Sequence, residues 1–312
     1  FLTGIDDFSR MGGFRFKEDL DGEFINVSES LKIPPLTDIR ELIAASAEIE
    51  KSEENNMLPD KKWIAQLVQP GTSLGGARPK ANVIDTDKTL YVAKFPSRKD
   101  DYDVGLWEHF GHLLATKTGI NAAKTKMLAT GEKYHTLLSQ RFDRTQEGKR
   151  IHLASAMTLL GLSDGDNATT RHGYLDIVDF IIQSCTDVER NLQELYRRVA
   201  FNICIGNSDD HFRNHGFLLT AKGWILSPAY DMNPTLNEYQ SLLISADSNK
   251  ADLSILLDAC EDYMLNRKTA EKIVSEVIDA VKNWREMAIR LGLSKREMDM
   301  FAGVLDEWCK WE

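Results

Sequence analysis

Hydrophobic spacing divides the chain into a strand-rich first part and a helical second part. Asn82-Val83-Ile84 and Thr89-Leu90-Tyr91-Val92-Ala93-Lys94-Phe95 read as a hairpin turning at residues 85–88. Met127-Leu128-Ala129 and residues 134–139 add two strands of a small sheet. Between them the period changes. Trp107, Phe110, Gly111, Leu114 and Thr118 form one stripe of a helix over residues 104–118. Leu192, Leu195, Tyr196, Val199 and Ile203 mark a helix over 188–205, and 174–184 reads as another. Phe217-Leu218-Leu219 and Trp224-Ile225-Leu226 are short strands around a turn at 220–223. Ile273, Val277, Val281, Trp284 and Ala288 predict one long amphipathic helix. Ser294-Lys295-Arg296-Glu297 is a capping box opening the last helix. Near the start, residues 14–16 alternate like a strand. Thr37 or Asp38 caps an acidic helix reaching about residue 51, and 52–60 reads as an exposed loop. Residues 159–171 and 233–249 read as irregular. The pattern is α+β, with a sheet-containing part over 1–140 and a helical part over 141–312.

The chain has 312 residues, 42% of them hydrophobic, which is ample for a buried core and favours two lobes. A formal net charge of −10 argues against gripping a nucleic-acid backbone as the main task. No apolar run approaches the roughly 20 residues of a membrane span. The cysteines, Cys185, Cys204, Cys260 and Cys309, are far apart with no Cys-x-x-Cys, which argues against zinc and for reduced thiols in a cytoplasmic protein. The chain opens at Phe1 without a signal peptide, so it is read as starting inside a longer architecture.

The candidate chemistry centres on Gly206-Asn207-Ser208-Asp209-Asp210-His211-Phe212-Arg213-Asn214, a polar loop between a helix and a hairpin. Asp209 and Asn214 have four residues between them, and Asp231 follows the hairpin in Ser227-Pro228-Ala229-Tyr230-Asp231. Kinase catalytic loops space a base and a metal-binding amide this way, with a second metal-binding Asp after the next hairpin. A hard cation such as Mg²⁺ takes oxygen ligands, which an amide and a carboxylate supply. Taken alone, the loop also reads as a polar turn. Gly71-Thr72-Ser73-Leu74-Gly75-Gly76-Ala77-Arg78-Pro79-Lys80 lacks the Walker A pattern but offers backbone N–H groups and basic side chains to a phosphate. By itself it is also a plain glycine-rich hairpin loop. Lys94 lies on a strand between apolar neighbours, as a nucleotide lysine does. Glu108 is the candidate partner carboxylate, with Asp101 and Asp103 as alternatives. Arg141 and Asp143 read as a structural ion pair.

In this order, Ser73 to Lys80, Val92-Ala93-Lys94-Phe95, Glu108, Arg141-Phe142-Asp143-Arg144, the loop from Gly206 to Asn214 and Leu226 to Asp231 resemble the HipA family of bacterial Ser/Thr kinases. These are the toxin half of HipA–HipB toxin–antitoxin modules. The resemblance implies a protein-kinase-like bilobal fold that uses ATP and Mg²⁺. By match, Asp209 is the catalytic base, and Asn214 and Asp231 hold metal. Ser73, Gly75, Gly76, Ala77 and Lys80 belong to the phosphate loop, with Ser73 where family members autophosphorylate. Lys94 contacts phosphates with Glu108 as its partner. His211 and Arg213 fall at further nucleotide contacts, and Gln140 and Phe142 at the adenine hinge. The family pattern often has Asp-Gly-His or Asp-Ala-His where this loop has Asp209-Asp210-His211, which leaves the base between Asp209 and Asp210. The implied partners are a HipB-like helix-turn-helix antitoxin, through which alone DNA is met, a separate N-terminal subdomain protein, and a protein substrate such as an aminoacyl-tRNA synthetase. Rival readings are a kinase-fold small-molecule phosphotransferase, a non-catalytic corepressor and, more weakly, a metal hydrolase.

Overall fold

The structure is a computed structural model describing residues 7–25, 33–58 and 78–310. It divides into two compact units, residues 1–106 with 124–152, and residues 107–123 with 153–312.

In the first unit, helix α1 (Ile39–Glu54) covers a four-stranded sheet of order β1-β2-β4-β3, built from β1 (Lys80–Ile84), β2 (Leu90–Lys94), β3 (Thr125–Leu128) and β4 (Thr136–Gln140). All three pairings are antiparallel. Alternation along the strands aims Ala81, Val83, Tyr91, Ala93 and Leu138 at Ile39, Leu42 and Ile43 of the helix. Leu36–Asp38 forms a turn of 3₁₀ helix with Pro35 at its N-cap, and α1 starts at Ile39, where an Asp38 cap rather than a Thr37 cap predicts, and runs on to Glu54. Residues 14–16 do not form a strand. Among the described residues that stretch has one neighbouring bridge, Lys17 to Phe24, and its side chains engage charged groups instead.

Those charged groups make a buried clasp. Arg141 donates to both Asp143 carboxylate oxygens at 2.9 and 2.7 Å, to the Ser9 carbonyl at 2.7 Å and to Asn82 Oδ1 at 2.8 Å. Arg144 reaches Asp143 Oδ2 at 2.7 Å and the Arg10 carbonyl at 2.9 Å. The Gly12 amide donates to Asp143 at 2.8 Å. Burial opposes ionisation of Asp143, but the Arg141 hydrogen bonds and charge, followed by Arg144, hold its carboxyl below the usual range. Burial pulls Arg144 down to about 10 against the attraction of Asp143.

The second unit opens with most of helix α2 (Val104–Lys117), whose predicted stripe is buried. Strand β5 (His152–Ser155) joins β6 (Gly216–Thr220) and β7 (Gly223–Leu226) in a three-stranded sheet. The short helix α3 (Ala156–Leu159) follows β5. Neither β5 nor α3 shows a periodic signature in sequence. Helix α4 (Tyr174–Ser184) has the predicted bounds, as does the central helix α5 (Val188–Ile205), which packs against α4, α6 (Leu253–Asp258), α7 (Arg267–Val281) and α9 (Lys295–Leu305). The long helix predicted over 273–288 is two helices, α7 and α8 (Trp284–Leu291), separated at Lys282 and Asn283. Asn competes with the helix for backbone hydrogen bonds, which suits a break there. Trp284 is fully buried beside Trp107 and Phe110, and the Phe301 ring packs tilted against Trp107. The Ser294 capping box is formed as expected.

Candidate active site

Helix α5 ends at Gly206, whose φ of +67° is the left-handed cap that glycine adopts without strain. A Cβ there would lie 2.8 Å from both the Thr235 carbonyl and Val304. The chain then turns into the polar loop. Thr235 Oγ1 donates to the Gly206 carbonyl at 2.5 Å, and the Ser208 carbonyl accepts from Ser241 N at 2.9 Å and Ser241 Oγ at 2.8 Å. The segment after Asp231 thus clasps the residue before Asp209.

Asp209 is exposed and Asp210 is buried. Asp210 Oδ2 accepts from Tyr174 Oη at 2.7 Å and is 2.7 Å from His215 Nε2. Burial would raise Asp210. Attraction to His215 and the bonds from His215 and Tyr174 overturn that and keep its carboxyl below the usual range. Burial first, then Asp210, raises the Tyr174 phenol well above its ordinary value. Asn214 is 8% exposed, and its Oδ1 is buried with no hydrogen-bond partner among the described residues, as is His211 Nδ1. Arg213 pairs with Asp164, and its carbonyl accepts from Tyr230 Oη at 2.6 Å. That bond ties the loop to the residue before Asp231. Asp231 is half-buried, with a φ of +57° that non-glycine residues seldom adopt.

Around Asp231 the contacts are dense. The Ala229 amide donates to the Asn121 carbonyl and the Ala123 amide to the Ala229 carbonyl, both at 2.8 Å. Arg198 donates to the Ser227 carbonyl at 2.7 Å. Glu108 on α2 is buried, with Oε1 3.8 Å from His112 Nε2.

In the first unit, strand register sets Lys80 directly opposite Lys94, and Lys94 is 9% exposed. Residues opposed across an antiparallel pair share a face, where like charges repel. Gln140 ends β4 opposite Tyr91, and Phe142 is half-buried between Arg141 and Asp143. Ser73, Gly75, Gly76 and Ala77 lie outside the described residues.

The model of the HipA-like C-terminal domain matches residues 72–285. The chain belongs to that family. Within it, the Shewanella oneidensis serine/threonine-protein kinase toxin HipA is 27% identical over 224 residues, 64% of this chain. The chain spans about half of that relative's length, 50%. Among solved structures, the S. oneidensis HipA of a complex with HipB and operator DNA superposes at a TM-score of 0.67, with 18% identity, over 91% of this chain and 73% of that one. The Helicobacter pylori proinflammatory kinase CtkA superposes at 0.52, with 15% identity, over 76% of this chain and 90% of that one. The fold is therefore the mixed helix-and-sheet, kinase-like fold of HipA proteins.

Reading the sequence did not identify Tyr174 and His215 as the groups holding Asp210. Neither stands out, since Tyr174 reads as helix filling and His215 as a loop residue. Gly111 carried a usable signal, because a glycine inside a helical stripe usually has a packing reason. Among the described residues no three His, Cys, Asp or Glu side chains cluster as a metal group. A magnesium ion held by one amide and one carboxylate, with phosphate and water completing its shell, forms no such cluster. The unpartnered Asn214 Oδ1 fits that donor set.

Proposed function

We propose that this HipA-family chain is an ATP- and Mg²⁺-dependent protein kinase that phosphorylates serine or threonine hydroxyls in a cytoplasmic setting. The observation that carries the reading is the contrast within one loop. Asp209 is open to a substrate, Asp210 is engaged on two sides, and Asn214 presents a buried oxygen with no partner among the described residues.

In this reading Asp209 orients the acceptor hydroxyl and takes its proton at a carboxylate oxygen. Asn214 Oδ1 and the Asp231 carboxylate hold the cation, which when bound neutralises charge on the transferring phosphoryl group. Lys94 and Lys80 contact phosphate oxygens, with Gly75, Gly76 and Ala77 supplying backbone amides. Glu108 serves as the carboxylate partner of Lys94. His211 and Arg213 add nucleotide contacts, and Gln140 and Phe142 meet the base. Ser73 is a self-phosphorylation site. The sheet-containing part over 1–140, carrying Lys94, and the helical part over 141–312, carrying Asp209, act as nucleotide-binding and catalytic halves. The operator complex of the Shewanella HipA supports a HipB-like antitoxin as partner and DNA contact through that antitoxin. A separate N-terminal subdomain protein and an aminoacyl-tRNA synthetase substrate complete the proposal.

Incubation with γ-labelled ATP, Mg²⁺ and a bacterial extract tests it. Label is expected on a protein and, by mass spectrometry, on Ser73. Label on small metabolites alone would make the chain a small-molecule phosphotransferase, and no label at all would leave it a non-catalytic module.

A further inference from the structure

Helix α2 carries Glu108 on the same turn as a glycine that has no room for a side chain. A Cβ on Gly111 would overlap the Met232 carbonyl oxygen, so the helix backbone lies directly against the residue after Asp231. One residue on, buried His112 places Nδ1 3.0 Å from the Ala123 carbonyl. A carbonyl only accepts, so Nδ1 carries the hydrogen, and Nε2 faces the Glu108 carboxylate at 3.8 Å. Ala123 in turn donates its amide to the Ala229 carbonyl, and Ala229 donates to Asn121, in a parallel bridge just before Asp231. A chain of hydrogen bonds therefore runs from His112, one turn along the helix from Glu108, through Ala123 to Ala229, two residues before Asp231, and Gly111 closes it from the other side. The far face of the helix is pinned as well, since Trp107 and Phe110 pack on Trp284, and Trp107 also packs on Phe301.

We propose that Gly111 and His112 are positioning residues that lock the helix bearing Glu108 and the segment bearing Asp231 into one rigid frame, so that the two carboxylates keep a fixed relation through the reaction cycle. Control of this enzyme therefore does not work by swinging that helix away from the metal-binding segment. The claim rests on the kinase reading for the roles of Glu108 and Asp231. Its physical content, mechanical coupling between two segments, does not.

The test measures two things on the full chain, hydrogen exchange at the Ala123 and Ala229 amides and steady-state kinetics with ATP and Mg²⁺. Gly111→Ala is expected to speed exchange at both amides together and lower kcat about 100-fold, the cost of a misplacement near 1 Å. Gly303→Ala serves as the control, because a Cβ there meets nothing within 4 Å. It is expected to leave both readings at wild type. His112→Asn keeps a donor in the place of Nδ1 and is expected to retain slow exchange and most activity, whereas His112→Leu is expected to lose both. This pair carries the test if Gly111→Ala does not fold. Wild-type exchange at Ala229 in Gly111→Ala, a wild-type kcat there, or equal behaviour of His112→Asn and His112→Leu would each overturn the frame. A wild-type protein that turns over no ATP overturns the kinase reading instead, and the exchange arm still decides the coupling.

Discussion

Asp209 and Asp210 are chain neighbours in opposite surroundings, one open to solvent and one holding Tyr174 and His215. Substitution should separate their roles. Asp209→Asn is expected to lower kcat by about 10²–10⁴-fold, the usual worth of a positioned general base, with the melting temperature unchanged. Asp210→Asn is expected to lower the melting temperature, because a buried acceptor of two strong bonds is weakened. The reverse pattern in kinetics and calorimetry would exchange the assignments. The five-residue step to Asn214 favours Asp209 in the sequence, with Asp210 left as the alternative. Burial separates them, and burial depends on Tyr174, which sits far from the loop in the chain. The donor Asn214 was legible because a fixed interval from Asp209 is a local property. The orphaned state of its oxygen was not, since that depends on everything packed around it.

Among the elements, strands and helices with strong periodicity were legible close to their bounds, as in β6, β7, α4 and α5. The failures share a cause. The apolar stripe of 273–288 continues in phase across the break between α7 and α8, so hydrophobic period alone cannot reveal it. The stretch 14–16 alternates, but its side chains meet His152, Asp7 and Arg10 rather than a partner strand, and it follows Gly12, which joins the clasp around Asp143. That clasp has a pH signature. Asp143 has a folded pKa below its unfolded value near 3.8, so its contribution is complete above that value and is lost as pH falls through the folded one. Urea midpoints measured from pH 7 down to pH 3 should show a steep acid-side loss in the wild type. Asp143→Asn should be about 3–5 kcal/mol less stable at pH 7, with a flatter acid side, because removing one member of a buried ion pair strands the other.

At the scale of the whole molecule, the kinase reading makes a thermodynamic demand. A ligand that binds only the folded state stabilises it, by about 2.7 kcal/mol at a hundred times its dissociation constant. Mg·ATP should therefore raise the melting temperature of the wild type, while Lys94→Met, with one ammonium of the opposed Lys80–Lys94 pair removed, should show a much smaller rise at the same nucleotide concentration. An equal rise in both proteins would remove Lys94 from the nucleotide contacts. No helix among the described residues is long and apolar enough to cross a membrane.

The interleaving of the two units also bears on synthesis. The chain passes from one unit to the other after residues 106, 123 and 152, so neither unit is a single uninterrupted stretch. On the ribosome, Trp107 is made long before Trp284 and Phe301, the side chains that pack on it. The nascent protein must shelter that apolar helix face in the interval, and a premature stop between residues 123 and 284 leaves it uncovered.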